Sequence, residues 1–314
     1  MSLITSDWLE NNLGKVKLID CSWHMPNIKR NAYEEYLKKH IPGAIFFDLD
    51  KYSDTNTDLP HMLPNPITWE KTVSNLGISN NDRIIIYDNS DVLSSCRCWY
   101  NFIYFGHSPN LVSVLDGGLK KWILENKIID NNKTKIQKSK YTSKKNKNLV
   151  KNKNQINSNI NMKEFLVVDA RSKERFEGKV PDPRKNVRSG SIPNSLCLPF
   201  KEIINEDGTF KNTDEISKKF MQIIDRKYNN IVFSCGSGVT ACVLALAYSL
   251  VNNKYSPIIY DGSWAEYGKI KSPQIENSKC IPKTPYALAK FSCTNFLQNF
   301  YQIGGFPTTI LRFF

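Results

Sequence analysis

Four stretches of this chain occur twice, in the same order and at an offset of roughly 150 residues, far longer than a solenoid period, so the sequence reads as a domain copied in tandem. Leu18-Ile-Asp20-Cys-Ser-Trp23 answers to Val167-Val-Asp169-Ala-Arg171, and His40-Ile-Pro-Gly-Ala44 to Ser191-Ile-Pro-Asn-Ser195. Ile84-Ile-Ile-Tyr87-Asp88 answers to Val232-Phe-Ser-Cys235, and Val114-Leu-Asp-Gly-Gly118 to Ile259-Tyr-Asp-Gly-Ser263. Each half alternates short β-branched strands with helical stretches, the pattern of a parallel sheet covered on both faces. The 314 residues are enough for two such α/β domains. We expect them at 1–130 and 161–270, joined over 131–160 by a solvated linker, because lysine interleaved with asparagine and serine crowds Lys133 to Lys153. An extension, 271–314, has no counterpart, and its close from Ile303 to Phe314 is apolar enough to require a surface to dock on.

The duplicated strand ends differently in the two halves. In the second, Ile231-Val-Phe-Ser runs into Cys235-Gly236-Ser237-Gly238, and an Ala/Leu-rich stretch from Thr240 to Val251 reads as a helix. A thiol at that junction faces unpaired N–H groups and the positive end of a helix dipole, which favour the thiolate. The bland alternative is a buried, inert cysteine in a βα turn. In the first half Asp88 stands at the same place. That half lacks the nucleophilic thiol, so it is expected to be catalytically silent.

Bulk composition narrows the function classes. No apolar run approaches the about eighteen residues needed to span a bilayer, so no membrane partner is expected. The opening Met1 to Trp8 leads into a capped helix without a basic or arginine-rich leader, which reads as a cytoplasmic protein unless an upstream mitochondrial presequence is missing. Eight cysteines are too sparse for a disulfide framework, and Cys96-Arg-Cys98 has no partner pair at zinc-ligand spacing, so reduced thiols and no metal are expected. The net charge of +13 raises nucleic acid as a partner, but much of the lysine falls in the linker, so nucleic acid is not the partner expected.

Cys235-Gly-Ser-Gly-Val-Thr240 resembles the active-site loop of the two-domain rhodanese-like sulfurtransferases, in the Gly-Ser-Gly form carried by their 3-mercaptopyruvate branch. Tyr260-Asp-Gly-Ser-Trp264-Ala-Glu266-Tyr267 is similar to the family's C-terminal signature, and Tyr36-Leu-Lys-Lys-His40-Ile-Pro42-Gly43-Ala44 to its N-terminal one. The resemblance implies two tandem rhodanese-like domains, α/β in class, with the active site between them. It implies transfer of sulfane sulfur from 3-mercaptopyruvate, through a Cys235 persulfide, to a thiol acceptor, with no cofactor. Reduced thioredoxin, small thiols or cyanide are the acceptors implied, with a ubiquitin-like sulfur carrier as an alternative partner.

Sulfur transfer needs a nucleophilic thiolate, a cradle for the persulfide and an anchor for an anionic donor. Cys235 supplies the first, and the N–H groups of Gly236, Ser237, Gly238, Val239 and Thr240 are expected to supply the second as a backbone nest. By match to the family, Arg175 and Arg184 are the substrate-binding arginines, whose planar forks suit a carboxylate. The resemblance also implies a Ser237/His61/Asp50 relay, with His61 as the switchable base. A turn-capping His61 is the alternative. His40, Asp48, Arg97 and Arg171 are expected to be structural, and Cys242 core filler. The rival readings are thiosulfate as donor, a phosphatase, and a sulfur-relay adaptor for tRNA thiolation. Gly236-Ser237 lacks the basic side chains that thiosulfate enzymes place after the cysteine, and the loop lacks the arginine that closes a phosphatase loop.

Overall fold

Runs of isoleucine, valine and leucine make the strands, and because both faces of each sheet are covered these runs are continuous rather than alternating with polar residues. The computed structural model describes residues 2–224, 228, 230–252 and 254–270, with isolated positions 289, 292, 293 and 296. In the first half the elements are β1 (Leu3–Ile4), α1 (Ser6–Glu10), β2 (Lys17–Asp20), α2 (Ala32–Lys38), β3 (Ala44–Phe46), α3 (Pro66–Asn75), β4 (Ile84–Tyr87), α4 (Ser95–Tyr104), β5 (Val112–Leu115) and α5 (Gly118–Leu124). The second half repeats the alternation with β6 (Val150–Lys151), α6 (Lys153–Met162), β7 (Leu166–Asp169), α7 (Lys173–Phe176), β8 (Leu196–Cys197), α8 (Thr213–Ile223), β9 (Ile231–Ser234), α9 (Val239–Val251), β10 (Ile258–Tyr260) and α10 (Ser263–Tyr267).

The two five-stranded sheets have the orders β1-β5-β4-β2-β3 and β6-β10-β9-β7-β8. Every pairing in them is parallel. Each strand of the second sheet thus occupies its counterpart's place in the first, and the expected duplication holds at the level of topology. Successive residues of a strand point to opposite faces. Ile84 and Ile86 enter a core with Trp69 and Phe102, whereas Ile85 meets Leu9 and Trp122 on the other side.

The inner faces of the two sheets are closed by α3 and α4 in one half and α8 and α9 in the other, and α4 packs on α9. One continuous hydrophobic core therefore runs through both halves, and residues Met1–Lys269 form a single compact unit. Ile270–Phe314 forms a second unit. The apolar close at 303–314 lies outside the described residues. Among the described residues no helix is long and apolar enough to cross a membrane.

The segment expected as a solvated linker over 131–160 is laid down on the protein instead. Thr134 Oγ1 donates to the Ala44 carbonyl at 2.7 Å, Ser139 N to Ser74 O at 3.0 Å and Lys144 N to Phe105 O at 2.9 Å. Tyr141 is buried. From Val150 onward the chain already belongs to the second sheet, since β6 pairs with β10 and α6 follows, so that sheet begins before residue 161. Lysine-rich composition averages over single inward residues such as Thr134, Ser139 and Tyr141, and these make the attachment.

Candidate active site

Asp20 of β2 pairs with Tyr87 of β4, and Asp169 of β7 with Ser234 of β9, so the residues after these strands, Asp88 and Cys235, emerge at equivalent points. Asp88 turns its carboxylate back onto the following helix, accepting from Ser90 N at 2.9 Å and from Ser95 N at 2.7 Å. Burial pushes its pKa up against those hydrogen bonds. The anion position of the first half is thus filled by the protein's own side chain.

In the second half the turn has only four residues, Cys235 to Gly238, before α9 begins. Gly238 has φ +80°, and a Cβ there would lie 2.9 Å from Arg97 Nη1 and 3.1 Å from the Asp261 carbonyl, so both conformation and space call for glycine. The loop is suspended from the next strand-to-helix turn. Trp264 N donates to Cys235 O and Ala265 N to Gly236 O, each at 2.9 Å, and Cys235 N donates to Ser263 Oγ at 3.2 Å. The N–H groups of Gly236 to Thr240 find no acceptor among the described residues. They directly follow the buried Cys235, at the positive end of the thirteen-residue α9.

Two arginines close over this turn. A Cβ on Gly236 would lie 3.0 Å from Arg184 Nη2 and 3.5 Å from Arg175 Nη2, so the absence of a side chain at 236 admits both guanidiniums. Both bind one carboxylate that the sequence reading passed over: Asp182 Oδ2 accepts from Arg175 Nη2 at 2.7 Å, and Oδ1 from Arg184 Nη1 at 3.2 Å and Arg184 N at 3.0 Å. The Asp182 side chain is 1% exposed. Burial acts to raise its pKa, but the Arg175 hydrogen bond, the Arg184 N–H and both guanidinium charges hold it below the ordinary carboxylate value.

The first half contributes the rest. His61 Nδ1 lies 2.9 Å from Ser237 Oγ, and Nε2 lies 3.0 Å from Asp50 Oδ1. Asp50 also accepts from Trp23 Nε1 at 2.9 Å, and the Trp23 ring meets the His61 ring edge-on at 4.7 Å. Partial desolvation raises the Asp50 pKa, but the hydrogen bonds from His61 and Trp23 bring it below its ordinary value. An ionised Asp50 only accepts, so Nε2 carries the proton and Nδ1 accepts from the Ser237 hydroxyl. Ser237, His61 and Asp50 therefore form one hydrogen-bonded chain across the two halves.

Arg97 and Asp261 hold that chain in place. Arg97 is fully buried, donates from Nη2 to His61 O at 2.5 Å and to Asp261 Oδ1 at 2.7 Å, and directs Nη1 at Gly238 O at 3.4 Å. Asp261 Oδ2 accepts from Leu63 N at 2.9 Å. One ion pair so fixes the His61 loop from one half against the Cys235 loop from the other. Asp261, Asp182, Trp23 and Ser263 were not singled out as site groups by sequence reasoning, although Asp182 stands conspicuously in Pro181-Asp182-Pro183-Arg184.

The remaining sequence candidates have other partners. His40 is buried against the carbonyls of Tyr36 and Asn132, at 2.7 and 3.2 Å, and none of its hydrogen bonds reaches the thiol loop. Asp48 caps a turn at Lys51 N. Arg171 grips Asp169 through Nε and Nη2 and stacks 4.7 Å from the Trp264 ring. Cys242 donates to Gly238 O at 3.1 Å, and burial pushes its thiol up to about 12 despite the opposing charge of Arg97. Among the described residues no group of His, Cys, Asp and Glu could hold a metal ion.

Comparison with known proteins identifies the duplicated domain. The model of the rhodanese-like domain matches twice, over residues 5–125 and 152–269. The chain is 38% identical over 298 residues to the mitochondrial thiosulfate/3-mercaptopyruvate sulfurtransferase 1 of Arabidopsis thaliana, covering 88% of this chain and 78% of that one. It is 35% identical to the 3-mercaptopyruvate sulfurtransferase of Mus musculus, covering 87% and 94%. The crystal structure of SseA from Escherichia coli, described as a 3-mercaptopyruvate sulfotransferase of rhodanese fold, superposes with a TM-score of 0.75 at 32% identity, covering 84% of this chain and 99% of that one.

Proposed function

This chain belongs to the rhodanese-like family, and from that premise we propose that it is a two-domain sulfurtransferase moving sulfane sulfur from 3-mercaptopyruvate to a thiol acceptor. The Cys235 thiolate attacks the donor sulfur, the S–S bond forms, and the C–S bond breaks with its electron pair passing into the enolate of pyruvate. The proton on the donor sulfur is carried to the enolate carbon, which releases pyruvate and leaves an ionised persulfide on Cys235. An acceptor thiolate then attacks the outer sulfur and Cys235 departs as thiolate. Both steps are displacements at sulfur, so electrons balance between donor and acceptor without a resident cofactor.

The residues divide the work. The N–H groups of Gly236 to Thr240 and the dipole of α9 stabilise the thiolate and the persulfide. Arg175 and Arg184 hold the donor carboxylate. Ser237, with His61 and Asp50 behind it, moves the proton between donor sulfur and enolate. The observation that carries this reading is the Ser237–His61–Asp50 chain meeting the thiol loop from the opposite half. Reduced thioredoxin or a small thiol is the acceptor we propose.

Incubation with 3-mercaptopyruvate followed by intact-mass analysis tests it. One added sulfur on the wild type and none on Cys235→Ser is expected; no sulfur on the wild type rejects the reading. The thiosulfate reading is separated by comparing kcat/KM for the two donors, with mercaptopyruvate expected to lead.

A further inference from the structure

Resting on that sulfurtransferase reading, we infer that Asp182 is the positioning residue that sets the donor preference of the thiol site. It binds both guanidiniums and cancels one of their two charges, which fits the mouth to a donor bearing one carboxylate rather than to a compact dianion such as thiosulfate.

The geometry separates the two jobs of this carboxylate. It accepts one N–H from each guanidinium, Arg175 Nη2 at 2.7 Å and Arg184 Nη1 at 3.2 Å, so neither fork rotates freely. It also accepts from Arg184 N, and Pro181 and Pro183 on either side restrict the backbone that carries it. Arg175 Nε and Arg184 Nη2 are left without an acceptor among the described residues, and Arg184 Nη2 lies 3.0 Å from where a Cβ on Gly236 would stand, next to the Cys235 position. Fixed donors of this kind suit the planar, bidentate demand of a carboxylate. With two arginines and one ionised aspartate the cluster carries a single net positive charge.

Charge and positioning predict opposite signs when Asp182 is changed. Asp182→Asn raises the net positive charge of the mouth by one, so attraction alone would improve every anionic donor. Loss of the fork geometry weakens only the donor that depends on it. The expected result in Asp182→Asn is a higher KM and lower kcat/KM for mercaptopyruvate with thiosulfate turnover unchanged or raised, so that the ratio of the two kcat/KM values falls on the order of tenfold. Alkylation of Cys235 supplies a readout that a merely structural defect would not move selectively: the rate with iodoacetate relative to neutral iodoacetamide should rise. Asp182→Glu keeps the charge and displaces the fork, so it should raise the mercaptopyruvate KM without helping thiosulfate; this variant decides the matter if the asparagine protein does not fold. A donor ratio unchanged in a folded variant, with the wild type active on mercaptopyruvate, overturns this inference alone. A wild type that takes no sulfur from mercaptopyruvate overturns the sulfurtransferase reading and this inference with it.

Discussion

His61 Nδ1 lies 2.9 Å from Ser237 Oγ although 176 residues separate them in the chain, and that contact joins the two copies of the duplicated domain at the thiol loop. The contact has a direction, because Asp50 at Nε2 leaves Nδ1 as the acceptor of the serine proton.

Breaking the chain at Ser237 should therefore slow chemistry more than binding. For Ser237→Ala we expect mercaptopyruvate kcat to fall about 100-fold, the lower end of general acid–base contributions, with KM changed little. Steady-state pyruvate release measures it. Iodoacetamide labelling of Cys235 should stay close to wild type, since the alkylation involves no proton on a leaving carbon. Wild-type kcat in the variant removes Ser237 from the mechanism.

Much of this arrangement is legible in the sequence, and the residues say why. Repeated Val/Ile/Leu strands and their spacing carry the two parallel sheets, and Cys235-Gly-Ser-Gly ahead of an Ala/Leu stretch carries the strand-to-helix turn. The partnership of Ser237 with His61 and Asp50 came from resemblance alone, since no local pattern links residues so far apart. Asp261 was hidden for a similar reason. It lies in a signature that reads as a turn, yet its carboxylate serves Arg97 and Leu63 of the other half. Asp182 was overlooked because an aspartate between two prolines looks like loop chemistry until both arginines are seen to share it.

The Arg97–Asp261 pair makes a stability prediction. Removing one member of a buried pair leaves the other charge unmatched, which costs about 3–5 kcal/mol. Arg97→Met should lose stability of that order in urea titration, and it also frees the His61 carbonyl. Arg97→Met with Asp261→Asn together should recover part of the loss, because no unpaired charge is left. A single variant within about 1 kcal/mol of wild type would contradict the role given to the pair.

Gly238 and Gly14 share a left-handed backbone but differ in their surroundings. At Gly14, φ +76°, an added Cβ meets nothing within 4 Å; at Gly238 it meets Arg97 Nη1 at 2.9 Å and Asp261 O at 3.1 Å. Alanine at either position costs about 1 kcal/mol or more in backbone strain. Gly238→Ala should lose more than Gly14→Ala and also lower turnover, because its clash displaces the arginine that holds His61. Equal losses with full activity in both would show that the contact yields without consequence.

Asp20 gives a pH-dependent test with a definite sign. It is 1% exposed, accepts from Ser22 N at 2.9 Å and Ser22 Oγ at 2.6 Å, and burial raises its pKa to about 6 from an ordinary 3.8 despite those bonds. A carboxyl whose folded value lies above its unfolded value is penalised when ionised, so the contribution of Asp20 to stability should fall as pH rises from about 4 through 6 and return on acidification over the same window. Asparagine keeps an oxygen for Ser22 and carries no charge. Asp20→Asn should therefore be more stable than wild type near pH 7.5, on the order of 2–3 kcal/mol for a shift of this size, and the difference should shrink toward zero near pH 4. Urea midpoints of the two proteins across that range measure it. A variant less stable than wild type at pH 7.5, or a difference independent of pH, would mean that the buried carboxylate is better compensated than its two hydrogen bonds imply.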